Sequence, residues 1–189
     1  MERLAFAILF GLFVAIRMWY HQPTKRDSVE IFRRRETLLA AQFSLSLLVC
    51  HLLWLSGEFL HFAQFSCPQA LQLFGALLMT ASILLLAWVH RVLGANFSAR
   101  LELQATHQLI QNGPYNVVRH PMYSSGFGFI VGAAFLSSNW LLLLVPGISF
   151  FLLVVLRIPD EEKMLAERFP HQWEQYQART GRFLPKFQI

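Results

Sequence analysis

The sequence predicts an all-α integral membrane protein with five transmembrane helices, the fourth and fifth joined as a tight helical hairpin. Three observations predict it. Of 189 residues, 55% are hydrophobic and only 14% are charged, where an ordinary soluble domain carries about 25% charged residues. Apolar runs close to the 20 residues needed to cross the roughly 30 Å hydrocarbon layer recur along the chain. Nearly all basic residues fall between alternate runs, as they do when they face one side of a bilayer. A soluble fold of this length has too high a surface-to-volume ratio to hide so much apolar surface. The same composition excludes disorder and collagen.

The first span is Leu4 to Tyr20, ending in aromatics suited to the interface. No small-residue cleavage site follows it, so it reads as a helix rather than a signal peptide. The second apolar run, Thr37 to Phe65, is interrupted by Gly57-Glu58, which limits the span to Thr37–Ser56. The third runs from Leu71 to Leu93. Met122 to Ile158 is apolar almost throughout, 37 residues counted inclusively, too long for one helix and right for two short ones. Ser137-Ser138-Asn139 is its polar break and predicts the hairpin turn. The chain then divides into an N-terminal part, 1–93, holding three spans, and a second part, 94–189.

Of the 16 basic residues, 15 lie at the inner end of the first span, in the loop after it, between the third and fourth spans, or after the fifth. Arg3 is the exception. With five crossings, this distribution puts the N-terminus outside and the C-terminus in the cytoplasm. The net charge of +5 therefore reports topology, and no nucleic-acid partner is expected. Cys50 and Cys67 lie in apolar surroundings without metal-ligand spacing, so both read as packing residues and no metal is expected.

Two polar segments carry the remaining chemistry, Gly94 to His120 and Pro159 to Ile189. In the first, the alternation Arg100-Leu101-Glu102-Leu103-Gln104 suits a small β-ribbon or an amphipathic excursion. Asn112-Gly113-Pro114-Tyr115 predicts a turn, because Gly tolerates positive φ and Pro fixes its own. Arg119-His120-Pro121-Met122-Tyr123 then opens the fourth helix. Pro121 suits its first position, where a missing N–H costs nothing, and it pushes His120 out of the helical region. A helix N-terminus with Arg119 beside it offers an anion site, although an interfacial anchor would show the same residues.

In the second segment, Asp160-Glu161-Glu162 follows Arg157 and Pro159. From Pro159 the residues suit a new helix with acids in its first turn. Leu165, Phe169, Trp173 and Tyr176 recur at spacings of four, four and three, an apolar face laid on the bundle or bilayer. The acids read either as a cap paired with Arg157 or as a site for a cationic partner. An anion site and a cation site side by side would suit a zwitterionic small molecule.

These residues resemble the isoprenylcysteine carboxyl methyltransferase family and its relatives, the membrane phospholipid N-methyltransferases. The first block of resemblance is Leu93-Gly94-Ala95-Asn96-Phe97-Ser98, with Phe97 where Trp is usual. It continues through His107-Gln108-Leu109-Ile110, Gly113-Pro114-Tyr115 and Val118-Arg119-His120-Pro121-Met122-Tyr123. The second comprises Glu161-Glu162, Leu165, Phe169, Tyr176, Arg179-Thr180, Arg182 and Pro185.

The resemblance implies a membrane methyltransferase using S-adenosylmethionine in a cytoplasmic pocket, with a lipophilic methyl acceptor entering from the bilayer. The implied cofactor-binding residues are His107, Gly113, Pro114, Tyr115, Arg119, His120, Pro121, Tyr123, Glu161, Glu162, Phe183, Leu184 and Pro185. Arg119 would meet the cofactor carboxylate and Glu161 or Glu162 its ammonium, with Tyr115, Tyr123 and Phe183 against the adenine. Arg157 and Glu162 are the implied catalytic residues, Arg157 orienting an anionic acceptor. An isoprenylcysteine-like carboxylate is the expected acceptor, with a phospholipid amine or a small lipophilic amine or thiol as alternatives. An NADPH-dependent reductase and a non-catalytic membrane scaffold are the alternatives of another class.

Overall fold

The computed structural model describes residues 2–20, 29–30, 34–57, 60–94, 102–103 and 108–186. Among these residues, six α-helices follow one another: α1 (Glu2–Trp19), α2 (Arg34–Ser56), α3 (Gln69–Leu93), α4 (Pro121–Ser137), α5 (Leu141–Arg168) and α6 (Pro170–Arg179). Two-residue strands β1 (Val29–Glu30) and β2 (Glu102–Leu103) pair antiparallel, Val29 with Leu103 and Glu30 with Glu102. Glu102 and Leu103 of the alternation thus take the ribbon form, and its other residues lie outside the described ones. The protein is an all-α multi-pass membrane protein. Among the described residues, three helices are long and apolar enough to cross a bilayer, at Thr37–Ser56, Gln69–Leu93 and Leu141–Arg168. The 18 residues of α1 include Glu2, Arg3 and Arg17. The 17 residues of α4 reach only about 25 Å at 1.5 Å per residue.

α4 lies against α3 at the centre of the bundle, and glycine makes the contact possible. A Cβ on Gly132 would stand 2.7 Å from the Gly75 carbonyl oxygen and 2.8 Å from the Met79 nitrogen. A Cβ on Gly75 would stand 2.6 Å from the Leu136 nitrogen. Lipid is as apolar as leucine, so helices in a membrane gain little from the hydrophobic effect on meeting. Close backbone approach through small residues supplies dispersion contact instead. Around this seam the core is aromatic: Phe13 of α1 stacks on Phe129 of α4 at 4.0 Å between centroids, and Phe10 stacks on His51 of α2 at 4.6 Å.

At one end of the bundle, the turn between α4 and α5 is tied to the connector between α2 and α3. Ser138 adopts the left-handed conformation (φ 52°) that stops α4. Buried Asn139 donates from Nδ2 to the Leu60 carbonyl at 2.8 Å and accepts from the Leu141 N–H at 3.0 Å. Trp140 N–H donates to the Ala63 carbonyl and Phe65 N–H to that of Ser138. The break at Ser137-Ser138-Asn139 thus lies where the sequence predicts it.

Pro159 does not open a new helix. α5 runs unbroken from Leu141 to Arg168 with Pro146 and Pro159 inside it. A single proline removes one i to i−4 hydrogen bond, which a helix in a bundle tolerates. The chain breaks instead at Phe169 (φ −130°, ψ 54°), held out of the helical region by Pro170, the first residue of α6. The apolar series from Leu165 to Tyr176 is therefore shared between two helices, with Trp173 and Tyr176 buried on α6.

Gly132→Ala should lower the melting temperature in detergent, because its Cβ would meet the backbone of Gly75 and Met79 on α3 and overpacking costs about 1–3 kcal/mol. Gly11→Ala, whose Cβ has nothing within 4 Å, should melt no lower than the wild type, since Ala favours a helix interior over Gly. Circular dichroism melts of the two variants check both.

Candidate functional site

The other end of the bundle gathers the charged residues. The turn before α4 is a 3-10 turn at Gly113–Asn116, entered through Gly113 at φ 58°. Pro121 is the first residue of α4, and His120 sits just outside it at φ −125°, ψ 57°. The C-terminal segment after α6 returns beside this loop as a short parallel bridge between Val118 and Gly181. Arg119 N–H donates to the Gly181 carbonyl at 2.8 Å and His120 N–H to that of Arg182 at 3.1 Å. Gly181 is required here, since a Cβ would collide with the Leu184 carbonyl.

Glu162 holds the junction together. It projects from the last turns of α5, beyond the apolar stretch 141–156. Its side chain is 11% exposed and Arg119 is 9% exposed. Arg119 Nε donates to Glu162 Oε1 at 3.3 Å, and His120 Nε2–H donates to the same oxygen at 3.1 Å. Arg182 donates through Nε to Oε1 at 3.2 Å and through Nη2 to Oε2 at 2.5 Å. Arg119 also caps the Gln177 and Thr180 carbonyls through Nη1. Burial alone would raise the Glu162 carboxyl. The hydrogen bonds and charges of His120 and Arg182 outweigh it and hold the group down at about 2.

Glu161, one residue earlier, differs. It accepts from the Tyr123 hydroxyl on Oε2 at 2.9 Å, with Arg157 Nε at 4.0 Å from the same atom. Its Oε1 lies 3.9 Å from His120 Nδ1, and the side chain is 28% exposed. A carboxylate has about four acceptor sites, so Glu161 keeps capacity that Glu162 has largely spent. Tyr176 donates its hydroxyl to the Tyr115 carbonyl at 2.8 Å, and burial pushes the Tyr176 phenol up, so it stays a donor.

Of the residues singled out from sequence, the structure brings together Arg119, His120, Pro121, Tyr123, Glu161, Glu162 and Arg157. Gly113, Pro114 and Tyr115 form the adjoining turn. Phe183 lies with its ring 6.1 Å from that of His120, while Leu184 and Pro185 are exposed. His107 falls outside the described residues. Arg119 and Glu162, expected to serve opposite ends of one ligand, are bonded to each other. The sequence gives no role to Arg182, to Thr180, or to Ser124, whose hydroxyl donates to the Phe183 carbonyl at 3.0 Å. Arg182 stood in the motif and 20 residues after Glu162, but nothing local in the sequence marks that pairing. Among the described residues, no three His, Cys, Asp or Glu side chains are grouped to hold a metal ion.

The fold and site define a multi-pass helical membrane protein whose loop before α4 and C-terminal segment share one ion cluster. Residues 71–172, over half of the chain, match the phospholipid methyltransferase family, and the chain belongs to that family. It is 30% identical over 82 residues to a nickel-cobalt-cadmium resistance protein of Alcaligenes xylosoxydans xylosoxydans, covering 43% of this chain and 38% of that protein. It is also 30% identical over 86 residues to a probable protein-S-isoprenylcysteine O-methyltransferase of Oryza sativa subsp. indica, covering 46% of this chain and 45% of that one. The matches thus span less than half the length of these relatives. The fold is similar to that of a eukaryotic intramembrane Ras methyltransferase, isoprenylcysteine carboxyl methyltransferase. The TM-score is 0.58 at 21% identity, over 96% of this chain and 67% of that one.

Glu162 ordinarily titrates near 4.5 and here at about 2, so its contribution to stability is complete above pH 4.5 and lost as pH falls toward 2. Glu162→Gln should melt well below the wild type at neutral pH, toward the lower end of the roughly 3–5 kcal/mol for breaking a buried pair. The gap should close between pH 4.5 and 2. Thermal melts of both proteins across that range check it.

Proposed function

We propose that this chain is an integral-membrane S-adenosylmethionine-dependent methyltransferase acting on a lipophilic, isoprenylcysteine-carboxylate-like acceptor from the bilayer. In this reading α1 to α5 all cross the membrane, α4 and α5 as a tight hairpin. The N-terminus is outside and the ion cluster cytoplasmic. Residues 1–93 embrace the acceptor, and 94–189 form the methyl-transfer core. One observation carries the reading: in a chain of the phospholipid methyltransferase family, Glu162 ties the loop before α4 to the C-terminal segment.

The residues present fit the cofactor. Glu161 retains acceptor capacity for an ammonium group, and Phe183, Tyr123 and Tyr115 offer aromatic surface for an adenine ring. In this reading His107, Gly113, Pro114, Pro121, Leu184 and Pro185 complete the cofactor surface. Glu162 acts by fixing Arg119, His120 and Arg182 rather than by holding the ligand alone. When bound, S-adenosylmethionine supplies an electrophilic methyl group on a sulfonium. A carboxylate acceptor is already nucleophilic and needs no general base. The task of the protein is therefore alignment and exclusion of water, and orientation can lower such a barrier by up to about 7–11 kcal/mol. Arg157, at the inner end of the apolar part of α5 and beside Glu161, is placed to orient an anionic acceptor. A phospholipid amine is the second reading, favoured by the name of the family that matches. Such an acceptor must first lose a proton, which Glu161 or His120 would take.

Radiolabelled methyl transfer in native membranes, with the labelled product identified, decides between these acceptors. Purified protein should bind S-adenosylhomocysteine and not NADPH by calorimetry in detergent. NADPH binding alone would favour a reductase, and binding of neither a scaffold. Glu161→Gln should weaken S-adenosylhomocysteine about tenfold, equivalent to about 1.4 kcal/mol, and remain folded. Arg157→Ala should raise KM for an anionic acceptor more than it weakens S-adenosylhomocysteine.

A further inference from the structure

Phe6, Phe10 and Phe13 of α1 recur at spacings of four and three and are buried. Phe6 lies against Trp54 of α2 at 4.4 Å between centroids, and Phe13 against Phe129 of α4. Arg17 comes four residues after Phe13, one turn further along the same face. Its level is set by Tyr20, just past the helix, whose ring stacks on that of buried His90 of α3 at 4.7 Å and an interplanar angle of 1°. The face that packs α1 into the bundle therefore ends in a guanidinium.

That guanidinium arrives beside the ion cluster. Arg17 Nη1 contacts Met122 Sδ at 3.6 Å, and Met122 precedes Tyr123, whose hydroxyl donates to Glu161. Arg157 of α5 lies by the same Glu161 oxygen, and its charge repels that of Arg17. Guanidiniums from the first and fifth helices thus converge on the start of α4. An arginine that merely anchors a helix end snorkels toward the headgroups. Arg17 instead reaches along the face packed on α4, and the thioether it meets there is a weak acceptor that a carboxylate oxygen outcompetes. The residue is also exposed, so a molecule arriving from outside the bundle can touch it. An anion placed between the two arginines is attracted by both, whereas an ammonium is repelled by both.

We propose that Arg17 is a specificity-determining residue of the acceptor site: with Arg157 it grips an anionic head group and turns away an amine. The inference rests on the methyltransferase reading. It adds a residue from a part of the chain that the family match, 71–172, does not cover. Methylating a carboxylate joins one of its oxygens to the methyl carbon as the carbon–sulfur bond breaks, the electron pair staying on sulfur and no proton moving. The product is a neutral ester with no charge for the arginines to hold, so the pair favours substrate over product. Because the charge is already fading in the transition state, losing Arg17 should raise KM and spare kcat.

The test uses the full chain in nanodiscs of dioleoylphosphatidylcholine, with probes that share a farnesyl tail: N-acetyl-S-farnesylcysteine, its methyl ester and farnesylamine. The wild type should bind the acid about tenfold tighter than the ester or the amine, the scale of one charge-assisted hydrogen bond. Arg17→Gln should weaken the acid about tenfold and leave the ester and amine within about twofold. Arg17→Lys should restore most of the loss, and Arg17→Gln should raise KM for the acid at unchanged kcat. Should Arg17→Gln fail to fold, phenylglyoxal on the wild type decides: the acid should shield Arg17 in the peptide map and the ester should not. Equal weakening of acid and ester, or an Arg17 that the acid leaves unshielded, would overturn the proposal. Displacement of the acid by dioleoylphosphatidylglycerol added to the discs would assign Arg17 to an anionic lipid and overturn it too. S-adenosylhomocysteine binding is measured on the same sample. Its absence from the wild type sinks the methyltransferase reading, whereas intact binding without preference for the acid sinks only the role of Arg17.

Discussion

A single carboxylate organises the charged end of this molecule. Glu162 accepts from Arg119 and His120, on the loop before α4, and from Arg182, on the segment after α6. Two segments more than 60 residues apart are thereby held in one place. The bond from Arg119 to the Thr180 carbonyl and the bridge between Val118 and Gly181 depend on the same approach. A buried carboxylate is costly unless its acceptor sites are filled, and here four donor groups from three residues fill them. That leaves neighbouring Glu161, more exposed and less bonded, as the carboxylate with room for a ligand.

The clamp works only because α5 brings Glu162 to it. A helix that ended at the membrane surface, near Ile158, would place the acids on a loose loop. By running through Pro159 to Arg168, α5 makes the carboxylates part of the same rigid rod that crosses the bundle. α4 meets that rod with its N-terminus, and α4 itself is fixed by the backbone contacts of Gly75 and Gly132 with α3. Small residues deep in the bundle thus set where Arg119 and His120 stand, although they touch neither.

Much of the architecture was legible because it rests on local chemistry. Apolar length located α2 and α3 within two or three residues. Ser137-Ser138-Asn139 marked the turn because its polar residues can satisfy helix ends, and Pro121 marked the start of α4 because proline costs nothing there. Pro159 misled for the complementary reason: the residue alone does not say whether the surrounding bundle will tolerate one lost hydrogen bond. The break fell at Phe169-Pro170, where Phe169 leaves the helical region. In the site, the acids and the Arg119-His120 pair stood out by type and position. Their mutual bonding and the part played by Arg182 did not, because a pairing that depends on the path of α6 has no signature in spacing.

The placement of hydrocarbon and charge along α5 joins these observations. Its apolar part exposes Leu143, Leu144, Ile148 and Phe151. Its end carries Arg157, Glu161 and Glu162. Between them Phe150 packs against Phe127 and Tyr123 of α4. Head and tail of an amphiphile have opposite solvation demands, and one helix that is apolar along its first part and charged at its end offers surfaces for both. A membrane protein that had to extract its ligand into water would face the full transfer cost of the tail, about 0.8 kcal/mol per methylene. An acceptor that left its tail in the hydrocarbon while only its head reached the charged end would avoid that cost, and α5 carries its apolar and charged residues in that order.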